Sequence, residues 1–88
     1  MDDAAPDAQD APQALRDQVI LGATLRALRE RAGLTQEQFG ARFGMDATYL
    51  SQLENGHRGI RWATIMRILR ALDLDLTDLA DEYPRHAD

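Results

Sequence analysis

Cysteine and lysine are both missing from this 88-residue chain, and its two histidines, His57 and His86, do not stand at metal-ligand spacing. Without cysteine there is no disulfide framework and no thiolate chemistry, which fits a reducing compartment. No apolar run approaches membrane-spanning length. The opening MDDAAPDAQD lacks both the basic region and the apolar run of a secretory signal, so a soluble, cytoplasmic protein is expected. Sustained alternation and β-branched runs are lacking too, which removes a sheet and leaves an all-α chain. Its length suits one small domain that buries about 60 % of its unfolded surface, too little for a deep catalytic cleft.

Charge is present but segregated. Residues 1–18 carry five Asp against Arg16, a balance of −4, and residues 73–88 carry five Asp and Glu82 against Arg85, a balance of −5. Between them, residues 19–72 hold eight Arg against four acids, or +4, within a formal net charge of −5. A basic middle flanked by acidic ends can bind a polyanion despite the net charge. All ten basic residues are Arg, which suits bidentate phosphate contacts, although the codon bias of a GC-rich genome gives the same result.

Residues 1–18 have almost nothing large and apolar and are expected to form a disordered acidic tail. Leu21, Leu25, Leu28 and Ala32 predict a first helix over about 19–32, stopped by Gly33. Thr35, with Gln38 three residues on, forms a capping box that opens a second helix through Phe43. Asp46 caps a third helix, Ala47 to Glu54, which Gly56 closes. A fourth, about Arg61 to Leu72, turns Trp62, Ile65, Ile68, Leu69 and Leu72 inward. Asp75 and Asp78 open a short fifth, anchored by Leu76, Leu79 and Tyr83 and ended by Pro84. The expected organisation is a tail at 1–18, one domain at 19–83 and a C-terminal tail at 84–88.

The block QEQFGARFGMDATYLSQLEN, Gln36 to Asn55, spells two short helices joined by a tight turn, the pattern of a helix-turn-helix DNA reader. Phe39, Phe43, Met45, Leu50 and Leu53 lock the pair at a steep angle. Gly40 sits mid-helix, where glycine costs about 1 kcal/mol relative to Ala, so the second helix of the pair is expected to cross directly over it. Gly44 can take the positive φ that ends the first helix of the pair.

Together with LTQEQ, YLSQLENG and WATIMRILRALDLDLTDL, this block resembles the phage-repressor and Cro-like helix-turn-helix regulators, the XRE family, over about 21–82. The resemblance implies a five-helix, lambda-repressor-like DNA-binding domain whose helices 2 and 3 form the motif, a homodimer, and a partly palindromic operator. Arg61, in place of the usual Ser or Thr cap, leaves the fourth helix poorly capped, and Asp73 replaces a common Gly.

In such a fold the third helix enters the major groove. Leu50 and Leu53 face the core, which leaves Ala47, Thr48, Ser51 and Gln52 to read bases, with Gln52 suited to adenine N6 and N7. Gln36, Tyr49, Asn55, Arg58 and Arg61 are candidates for phosphate contacts. The competing reading of each is an ordinary solvated or packing position. Arg29 and Glu54 match a family pair that bridges the first and third helices, so a partly buried bidentate ion pair is expected. Met66, Leu76, Leu79 and Tyr83 exceed what the core needs and are candidates for a dimer interface or for plain core packing. Ser51 has no histidine or lysine base beside it, and no enzyme, metal or cofactor site is found.

The expected function is therefore a sequence-specific transcriptional regulator, of phage-repressor or restriction-modification-controller type, that binds double-stranded DNA as a homodimer. The alternative is a protein-binding module of antitoxin or anti-repressor type whose acidic tails take a basic partner.

Overall fold

The computed structural model describes residues 11–87, and among them there are helices but no strand. Five α-helices follow in order: α1 (Ala11–Arg31), α2 (Gln36–Phe43), α3 (Ala47–Glu54), α4 (Trp62–Ala71) and α5 (Leu76–Glu82), then a 3-10 turn over Tyr83–His86.

The caps behave as the sequence predicts. The Thr35 hydroxyl accepts from the Gln38 N–H at 3.0 Å while the Gln38 side chain accepts from the Thr35 N–H at 2.9 Å. Asp46 accepts from the Thr48 and Tyr49 N–H groups, and Asp75 and Asp78 form a second reciprocal box. Each satisfies donors that a helix start leaves open. Arg61 makes no side-chain cap, and Asp73 adopts φ 59°.

Two expectations need correction. α1 begins at Ala11, so residues 11–18, assigned to the tail, are helical; the remainder of that expectation, residues 1–10, lies outside the described residues. No apolar periodicity announces this extension. It is held by polar contacts that pattern reading does not register. Gln18 Nε2 donates to the Gly56 carbonyl at 2.9 Å, and the Tyr83 hydroxyl reaches the Asp17 carboxylate at 3.4 Å. Pro12 lies in the first turn, where its missing N–H is no loss. Trp62, expected inward, is 61 % exposed. Ile60, from the preceding loop, packs on both halves of the core, and Trp62 at the first position of α4 is left outside it.

The core has two continuous parts. Leu25, Phe39, Met45, Leu50, Leu53 and Ile68 pack where α1, α2, α3 and α4 converge. Leu28, Ile65 and Leu69 join α1 to α4, with Leu79 of α5 against both parts. Phe39 and Phe43 add an inclined ring pair with centroids 4.8 Å apart.

The α2–α3 junction follows from two glycines. A Cβ on Gly40 would strike the Met45 carbonyl, so the turn can cross α2 there only over glycine. Gly44 takes φ 71° and closes α2. Arg67, reaching over from α4, donates to the Phe43 and Gly44 carbonyls at 3.0 and 2.9 Å. It satisfies acceptors that the end of α2 leaves open.

Candidate nucleic-acid interface

α3 has a dry side and a wet side. Leu50, Leu53 and Glu54 are buried, whereas Thr48 is exposed and Ala47, Ser51 and Gln52 are half-buried. The latter four, with Gln36, Asn55 and others, line a shallow cleft between the start of α2 and the outer face of α3. An element with one face anchored and the other open can enter a groove without losing its seat.

The anchor is ionic as well as apolar. Arg29 Nε and Nη2 donate to Glu54 Oε2 and Oε1 at 2.7 and 2.8 Å, and Arg29 Nη1 donates to the Leu34 carbonyl at 2.6 Å. The two residues are only 5 % and 4 % exposed. The hydrogen bonds to Glu54 hold the Arg29 pKa above its ordinary value, against the opposing effect of burial. Gln36 Nε2 also donates to Glu54 Oε1 at 2.9 Å. One carboxylate thus ties α1, α2 and α3 together, and the Gln36 side chain belongs to this network, leaving its place at the start of α2 to offer backbone N–H groups.

Gly22 was not singled out in the sequence, yet it sets how closely α1 approaches α3. A Cβ there would lie 2.8 Å from the Glu54 carbonyl oxygen and closer still to that of Leu53. The only available signal was a glycine inside an otherwise good helical pattern.

After α3 the chain reverses at Gly56, with φ 74°, and the His57 N–H donates to the Gln52 carbonyl at 2.9 Å. This return lays Arg58 over the Tyr49 ring, 5.0 Å from its centroid, with Nη1 3.1 Å from Gln52 Oε1. Asn55 Nδ2 donates to Ser51 Oγ at 3.3 Å. The structure therefore brings Tyr49, Ser51, Gln52, Asn55 and Arg58 into contact in pairs. Arg61 stands exposed at the start of α4.

Three other arginines of the basic middle are occupied. Arg26 pairs with Glu30, Arg31 with Glu82, and Arg67 with backbone carbonyls. Of the residues considered for a dimer surface, Met66 is half-buried against Leu28, Ile65 and Leu69, and Leu79 packs on the core. Tyr83 is half-buried, and that burial, with the nearby Asp17 carboxylate helping, raises its phenol pKa. Leu76 is 42 % exposed. Among the described residues, no helix is long and apolar enough to cross a membrane.

Residues 20–82 match the family described as Helix-turn-helix domain. The chain belongs to this family. It is of the phage-repressor-like, XRE kind, and the match spans α2 and α3 as well as the elements that hold them. The control protein C.MunI of Mycoplasma sp is 35% identical over 68 residues, covering 76% of this chain and 92% of that protein. A propionyl-CoA carboxylase regulator of Cereibacter sphaeroides is 35% identical over 65 residues; that match covers 74% of this chain and only 14% of the regulator. Among solved structures, the restriction-modification controller protein C.AhdI of Aeromonas hydrophila superposes with a TM-score of 0.65 at 35% identity, covering 72% of this chain and 96% of that one.

Proposed function

We propose that this helix-turn-helix protein is a sequence-specific transcriptional regulator that acts in the cytoplasm and binds a partly palindromic operator as a homodimer. The observation that carries the reading is the outer face of α3. Ala47, Thr48, Ser51 and Gln52 line an open cleft while Glu54, at the end of the same short helix, is locked in a dry ion pair. In this reading those four meet base edges in the major groove, and Gln36, Tyr49, Asn55, Arg58 and Arg61 meet the flanking phosphates.

One such domain covers only a few base pairs, so two copies on half-sites about 34 Å apart supply the rest of the specificity. The dimer is proposed on the α4–α5 side. Leu76 is exposed and Met66 half-buried there, and Leu79 and Tyr83, partly used by the fold, complete the patch. The likeness to C.MunI and C.AhdI supports the controller variant of this reading. The chemistry needs neither metal nor cofactor.

Titrating the whole chain against the duplex upstream of its own gene, beside a scrambled duplex, tests the proposal. Preference for the upstream duplex of about a thousandfold or more at physiological salt is expected. Equal affinities overturn it, and a tight complex with a neighbouring gene product that survives Gln52→Ala favours the protein-binding module instead.

A further inference from the structure

The loop that follows α3 is tied at both ends and has little main-chain support between them. At its start the chain turns at Gly56, and the His57 N–H donates to the Gln52 carbonyl at 2.9 Å. At its far end Ile60 packs on both parts of the core. Among the described residues, the main chain of Arg58 and Gly59 enters no backbone hydrogen bond. The Arg58 guanidinium touches Tyr49 and Gln52, but those side-chain contacts are open to exchange for a phosphate. A brace on the main chain is kept through binding, and α1 supplies one. A Cβ on Gly56 would lie 2.7 Å from Val19 Cγ2, so the loop rests directly on that helix. The half-buried Gln18 beside it donates through Nε2 to the Gly56 carbonyl at 2.9 Å, and its Oε1 lies 3.3 Å from the place that a Gly59 Cβ would take. One side chain thus spans the two residues that flank His57 and Arg58. The brace lies ahead of the family match, which begins at residue 20.

We propose that Gln18 is a positioning residue of the DNA-binding surface: from the N-terminal extension of α1 it holds the Arg58 loop in place before DNA arrives. The gain is preorganisation. A loop ordered in the free protein has already met the conformational cost that a loose one meets on binding. Without the Gln18 amide, the Gly56 carbonyl loses this donor and the stretch from His57 to Gly59 loses its contact with α1 on that side. Arg58 then reaches a phosphate only after its loop is ordered by the duplex itself. The inference rests on the DNA-binding function proposed above and adds to it a residue that acts through another.

Gln18→Ala and Gln18→Met both remove the donor, and both replacements favour a helix, so α1 keeps its propensity. The test measures binding of the full chain to the duplex upstream of its own gene for these variants, for Arg58→Ala and for Gln18→Ala combined with Arg58→Ala. Either Gln18 change is expected to weaken binding about fivefold, the scale of one intramolecular hydrogen bond. In the Arg58→Ala background the same Gln18→Ala change should weaken it less than about twofold, because the residue it positions is gone. In the free Gln18→Ala protein, backbone order parameters of Arg58 and Gly59 should fall below about 0.6, while those of Leu50 and Leu53 stay at the rigid value of about 0.85. Equal losses with and without Arg58, or unchanged affinity in both Gln18 variants, overturn the inference and leave the DNA-binding function standing. If the wild type binds the upstream duplex no better than a scrambled one, the function itself fails and the inference falls with it.

Discussion

Glu54 accepts three hydrogen bonds in a nearly dry site, and taking it away leaves the Arg29 guanidinium buried with no carboxylate opposite. Losing one partner of a buried pair costs about 3 to 5 kcal/mol, a large share of what a domain this size has. Glu54→Ala should lower the unfolding free energy obtained from urea titration by that amount, and a loss below about 1 kcal/mol would show that water reaches the pair. Glu82 is a second buried carboxylate, facing Arg31, Arg85 and His86. The hydrogen bond from His86 lowers its pKa, with the two arginine charges helping and burial opposing. A depressed carboxylate contributes stability above its ordinary range and loses it as the pH falls through the folded value. The melting temperature of the wild type should therefore exceed that of Glu82→Gln at neutral pH, and the gap should close in acid; a constant gap would contradict the linkage.

At the scale of the element, the parts legible in the sequence are those governed by local chemistry. Thr35, Asp46 and Asp75 announce helix starts because a cap needs only its own next three residues. The crossing at Gly40 was also legible, although its cause is specific: the Met45 carbonyl occupies the space. Gly40→Ala should gain about 1 kcal/mol in helix propensity and lose more to the clash, for a net loss of about 1 to 3 kcal/mol in chemical denaturation. A stabilised variant would show that the turn can move aside. What the sequence hid depends on long-range partners. The start of α1 relies on Gly56 and Tyr83, and Arg67 finds its carbonyls more than twenty residues away, so neither has a local pattern. Trp62 has the right spacing for the core and the wrong place on its helix. The site divides in the same way. Ala47, Thr48, Ser51 and Gln52 can be picked out as the face opposite Leu50 and Leu53, but the contacts of Gln52 with Arg58 and of Gln36 with Glu54 required coordinates.

Over the whole molecule the division of charge matters most. Residues 11–18 hold Arg16 and Asp17 and are neutral, so the −4 of the N-terminal region comes from Asp2, Asp3, Asp7 and Asp10. These four carboxylates can compete with phosphate for the basic middle and weaken binding that is not sequence-directed. Removing residues 1–10 while keeping α1 whole should tighten binding to random duplex at low salt and make little difference at high salt, as read by fluorescence anisotropy. Unchanged affinity at low salt would dismiss this role. The proposed function presupposes that α3 enters the major groove, and guanine N7 methylation by dimethyl sulfate reports directly on that groove. On the duplex upstream of its own gene, we expect protection at guanines in two patches one helical turn apart, about 34 Å, that needs more protein to appear with Gln52→Ala. Unprotected N7 positions under a saturating amount of protein, or protection confined to adenine N3 in the minor groove, would contradict the account.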